Sequence, residues 1–114
     1  MEIKLLNGKI LDKSFLDELD SHFQWSVNQG LVADPKTVTI HIMDCKDGHG
    51  FPTQYSPTGF AWGLTPGFNP IEVEMCPQTP KVLRHELLHV IFFQKNGAAD
   101  NNHVDPSWTT LDIQ

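Results

Sequence analysis

Residues 82 to 91, VLRHELLHVI, constrain this chain more than any other stretch. Val82, Leu83, Leu87, Leu88, Val90 and Ile91 give a helix over residues 80 to 95 a broad apolar surface, so that helix must be central. It also carries His85 and His89. Residues four apart on a helix lie about 40° apart in angle and about 6 Å apart along the axis, so the two imidazoles share one face. A histidine among apolar neighbours costs free energy unless it finds a partner. Two imidazoles one turn apart can close on a single Zn²⁺ at about 2.0–2.1 Å. Glu86 stands about 100° round from His85, too far to complete the chelate and well placed to act on water beside it.

A zinc site needs a third protein ligand. No glutamate follows Glu86, so the candidates are Asp100, His103, Asp105 and Asp112. Beyond His89 the helix advances roughly 9 Å to its end, and the next seven residues can span over 20 Å, enough to fold back. Imidazole suits zinc better than carboxylate, which favours His103. Asp100 and Asp105 are then expected as acceptors that fix a histidine tautomer, or as plain loop residues. The fourth position would hold water, whose pKa zinc lowers to about 7, with Glu86 as the base. An oxyanion donor is expected from Tyr55, His49 or His41.

The rest of the chain supplies a frame of modest size. Its 114 residues suit one domain spanning 1–114. A net charge of −6 lacks the basic footprint that nucleic acid requires. No stretch approaches a membrane span, and the N-terminus has no signal-peptide plan. The expectation is a cytoplasmic protein, in which Cys45 and Cys76 stay reduced.

Residues 3 to 11 read as a strand or small hairpin, with Asn7-Gly8 as the turn. Residues 12 to 29 read as a helix with Phe15, Leu16, Leu19, Phe23 and Val27 on one stripe, Ser14 as cap and Gly30 as stop. His22 lies beside that stripe as a satisfied or surface histidine. Residues 37 to 44 and 70 to 76 alternate as strands. Between them come a long loop over residues 45 to 58, a short strand at Gly59 to Gly63, and a turn at Thr65-Pro66-Gly67. Thr79 is expected to cap the central helix, with Pro80 at its first position. Asn96-Gly97 ends it, and an irregular tail follows. The fold class is α+β: an N-terminal helix and a mixed sheet of about three to four strands packed on the central helix.

With these residues in view, the chain resembles the zincin metallopeptidases. Their pattern is a glycine- and alanine-containing edge strand, a second strand, then the H-E-x-x-H helix. Here Gly59-Phe60-Ala61-Trp62-Gly63, Ile71-Glu72-Val73-Glu74 and His85-Glu86-Leu87-Leu88-His89 stand in that order. The resemblance implies that Gly59 to Trp62 pairs with an extended peptide substrate. Phe92 and Lys95 stand where metzincins have glycine and histidine, which sets that branch aside. The long gap to His103 is closer to SprT-like proteins, although this chain lacks their basic DNA-binding parts. The expected activity is zinc-dependent peptide-bond hydrolysis with His85, His89 and His103 as ligands and Glu86 as base. The alternatives are a zinc-stabilised module without turnover, or a zinc hydrolase of a small amide or ester.

Overall fold

A computed structural model describes residues 1–5, 12–32, 34–45, 48–68 and 70–113. The expected turn at Asn7-Gly8 lies outside them. The architecture is α+β, with a mixed four-stranded sheet and helices on one face. Strands β1 (Glu2–Leu5), β2 (Val38–Ile42), β5 (Gly63–Phe68) and β6 (Ile71–Met75) lie in the order β1-β2-β6-β5. The pairs β1–β2 and β2–β6 are parallel, while β5 runs antiparallel to β6 at the sheet edge. A separate two-stranded ribbon joins β3 (Phe51–Pro52) to β4 (Phe60–Ala61).

Period-two alternation sets the layers. Val38, Ile40 and Ile42 of β2 and Ile71, Val73 and Met75 of β6 are buried. They share a core with Leu19 and Phe23 of helix α1 (Lys13–Asn28) and with Leu83, Leu87, Leu88 and Val90 of helix α2 (Val82–Asn96). Each of those α2 side chains contributes roughly 1.5–3 kcal/mol by leaving water. Thr39, His41, Glu72 and Glu74 occupy the opposite face of the sheet. His22 behaves as a satisfied histidine: Arg84 Nε donates to its Nδ1 at 2.9 Å, and the Arg84 guanidinium stacks 4.0 Å over Trp25. This contact fastens α1 to α2.

Several local expectations are corrected. Asp12, not Ser14, caps α1, accepting from Phe15 N at 2.8 Å, while the Ser14 hydroxyl donates to the same carboxylate. Thr79 does not cap α2, which begins at Val82 without a side-chain cap. Thr65-Pro66-Gly67 is not a turn; it lies inside β5, with an irregular register between Leu64 and Gly67. Proline is tolerated there because an edge strand needs no second ladder. The Gly59-to-Trp62 segment is not the free edge, because Phe60 and Ala61 pair with Pro52 and Phe51. Gly97 ends α2 as expected, in the left-handed region at φ 74°.

Cys45 and Cys76 form a disulfide, against the expectation of reduced thiols. The sheet explains it. Ile42 is in register with Met75, and Met43 N donates to Met75 O at 2.8 Å, so the chain leaves β2 and β6 side by side. The bond closes a 31-residue separation, which is worth about 3–4 kcal/mol in the chain-entropy picture. Among the described residues, no helix is long and apolar enough to cross a membrane.

Candidate metal centre

His85 and His89 project from one face of α2, one turn apart, as the helical period requires. His103 reaches them from the segment after the helix. Their Nε2 atoms form a triangle: 3.2 Å between His85 and His89, 3.3 Å between His85 and His103, and 3.2 Å between His89 and His103. Two nitrogens bound tetrahedrally to one Zn²⁺ stand about 3.3–3.4 Å apart, so the donor set fits that ion almost without adjustment. Among the described residues, this is the one cluster of three or more potential ligands.

The protonation states favour a ligand role. His89 Nδ1 lies 2.7 Å from Ala99 O. A carbonyl only accepts, so Nδ1 carries the hydrogen and Nε2 presents a lone pair. Burial lowers the pKa of His89, opposed by the bond to Ala99. Burial, then the neighbouring His89 and His103, pushes His85 down to about 4. Nitrogens converging at this distance, with one N–H already committed elsewhere, are poorly satisfied by one another and well satisfied by a shared cation.

Glu86 lies on the adjoining side of α2 and is only 7% exposed. Burial raises its carboxyl to about 7, against the lowering effect of a hydrogen bond from Thr65. That bond runs from Thr65 Oγ1 to Glu86 Oε1 at 2.9 Å, so the carboxylate is held by the edge strand β5. Gly63 permits the approach. A Cβ there would lie 2.2 Å from Val82 Cγ1 and 3.3 Å from Glu86 Oε2.

Two concavities adjoin the centre. A recess of about 270 Å³ is lined by His85, His103, Trp108, Thr109 and Ile113. A larger groove of about 1200 Å³ follows β5, with Leu64, Thr65 and Phe68 on one side, Ala99 on the other and Tyr55 at its rim. Thr65 connects that groove to Glu86, and Ala99 connects it to His89. Of the three expected oxyanion donors, only Tyr55, 71% exposed, borders the groove. His41 lies on the far face of the sheet, 3.2 Å from Glu72. His49 is exposed and packs near Phe60.

The aspartates take other roles than expected. Asp100 does not fix a histidine tautomer; Ala99 O does. Instead, its carboxylate accepts from Val104 N, Asp105 N and Trp108 Nε1. These contacts hold it below the usual carboxylate range, the Asp105 N–H foremost. Asp105 accepts from Ser107 N at the start of helix α3 (Ser107–Thr110). Asp112 stands in a left-handed turn at φ 52° beyond α3. The cluster that could hold a metal ion contains the three histidines and none of these aspartates.

Sequence reasoning missed Thr65, Gly63 and Trp108. Proline and glycine flank Thr65 and signal a turn, while Trp108 follows an aperiodic stretch with nothing to mark its contacts. The Trp108 ring lies 4.8, 4.8 and 4.5 Å from the rings of His85, His89 and His103, which are themselves 4.9–5.0 Å apart. The four rings thus make a near-regular tetrahedron, and Trp108 closes one side of the histidine triangle. Comparison with family models, curated proteins and solved structures finds no match for this chain.

Proposed function

We propose that this chain is a zinc-dependent peptidase of zincin type, nearest in ligand spacing to SprT-like proteins. One observation carries the reading: three Nε2 atoms stand at tetrahedral spacing beside a buried glutamate held by a strand that is at the sheet edge among the described residues. His85, His89 and His103 would hold the metal. When bound, zinc supplies Lewis-acid polarisation and lowers the pKa of water.

The remaining work falls to the chain. Glu86 has Oε1 tied to Thr65, which leaves Oε2 to take a proton and pass it to the leaving amine. Burial raises this carboxyl in the metal-free chain, the direction that favours proton transfer by a carboxylate. The outer edge of β5 has no strand neighbour among the described residues, so an extended peptide can add to it through main-chain hydrogen bonds. Tyr55 at the groove rim is the remaining candidate donor to a developing oxyanion. The acidic balance supports a peptide partner over nucleic acid. The Cys45–Cys76 bond favours an oxidising compartment over the cytoplasm expected from sequence.

A second reading, a metal-stabilised module without turnover, draws on Trp108 covering one side of the histidine triangle. Incubating the zinc-loaded protein with a mixture of unstructured peptides separates the two. Cleavage by wild type that is lost in Glu86→Gln and on chelation supports the peptidase. Stoichiometric zinc with no cleavage across the mixture supports the module.

A further inference from the structure

His103 is the weak point of the centre on ordinary physical grounds. Its backbone lies outside regular structure, with φ 55°, in an exposed segment between α2 and α3. A ligand on such a segment must be held by specific contacts, or its ordering would be charged against metal affinity. Those contacts converge on one side chain. Asp100 Oδ1 accepts from Val104 N at 3.1 Å, and Oδ2 accepts from Asp105 N at 2.9 Å and Trp108 Nε1 at 2.7 Å. Asp100 O also accepts from His103 N at 2.9 Å.

We infer that Asp100 is the positioning residue of the centre: one carboxylate fixes both the loop that carries His103 and the indole that closes the histidine triangle. The inference rests on the metal reading above. Val104 and Asp105 are the two residues after His103, so anchoring their N–H groups sets the direction in which the imidazole points. Trp108 reaches all three imidazoles, and its one polar atom is spent on Asp100. Asp100 has φ 55° as well, a region that aspartate enters more readily than most residues. Asparagine would keep that backbone preference. It has only one acceptor oxygen, however, so an NH₂ group would face at least one of the three N–H donors.

The test is metal binding without turnover. Zn²⁺ affinity by chelator competition and the visible spectrum of the Co²⁺ form are measured for wild type, Asp100→Asn, Trp108→Phe and His103→Ala. Asp100→Asn is expected to bind Zn²⁺ about 10–100-fold more weakly. Its cobalt bands should shift toward those of His103→Ala, with the metal-free circular dichroism unchanged. A merely structural role would leave the cobalt spectrum alone. If Asp100→Asn loses the fold, Trp108→Phe carries the test, because it keeps an aromatic ring and deletes one of the three bonds. Weaker binding with altered bands supports the inference, and wild-type affinity and spectrum overturn it. Wild type that binds neither metal overturns the metal reading and this inference together. Wild type that binds both, beside an indifferent Asp100→Asn, overturns this inference alone.

Discussion

Helix α2 and the segment that follows it solve one problem by opposite means. On α2 the helical period places His85 and His89 and burial fixes them: Leu83, Leu87 and Leu88 are at most 1% exposed. Between Gly97 and α3 nothing is periodic. His103 is held by Asp100 and packs on Trp108, with Asp100 and His103 both in the left-handed region, while Val104 beside it is 78% exposed. Packing tolerates no small change but resists large ones. A hydrogen-bonded loop is the reverse, since few contacts decide its geometry. The helix therefore carries stability and two of the clustered histidines, and the loop sets the place of the third.

Breaking the helix side should give the largest effects. Glu86→Gln should lower peptide hydrolysis by about 10²–10⁴-fold with zinc retained. A steady-state assay on the zinc-loaded variant checks this, and wild-type rates would remove Glu86 as the base. Leu87→Ala should cost about 2–5 kcal/mol in urea unfolding, because the side chain is fully buried.

The pH dependence of the metal-free protein sharpens the contrast between Glu86 and the histidines. Glu86, raised to about 7 from 4.5, keeps its proton in the folded chain where the unfolded chain has lost it. Its contribution to stability therefore falls as pH rises from 4.5 to 7. His85, lowered to about 4 from 6.5, acts in the opposite sense, and stability falls as pH drops from 6.5 to 4. The two oppose each other between about 4.5 and 6.5. Glu86→Gln removes the first and leaves the second. Its urea midpoint should decline steadily from pH 6.5 to 4 while that of wild type stays flatter; superimposable profiles would contradict these assignments.

Smaller effects follow at the strand and the loop. Gly63→Ala should cost about 1–3 kcal/mol and disturb the bond from Thr65 to Glu86, because the added Cβ meets Val82. Thermal unfolding and the rate of hydrolysis should both register it. Val104→Ala, beside His103 but exposed, should change stability by no more than about 0.5 kcal/mol. A larger loss in denaturant titration would mean that the loop is packed rather than tethered.

Much of the frame was legible because burial writes a period into sequence. Strands β2 and β6 and helices α1 and α2 all follow from alternation or helical spacing. The shared face of His85 and His89 and the neighbouring place of Glu86 were legible for the same reason, and His103 because few residue types could join the two histidines in a cluster able to hold a metal. What was hidden is aperiodic. Pro66 and Gly67 are turn residues by local chemistry, yet edge position overrides that preference in β5. The cysteine pair depends on a register between strands distant in sequence. Asp100 could be singled out as a carboxylate near a histidine, but its bond to Trp108 depends on a fold of the loop that no spacing encodes.

The central claim is that three histidines from these two unlike regions make one open metal site. Zinc content per chain, by elemental analysis of wild type, Glu86→Gln and His103→Ala purified without chelator, tests it most directly. The account predicts about one zinc in wild type and in Glu86→Gln and its loss from His103→Ala. Wild type without zinc, or His103→Ala with a full complement, would contradict it.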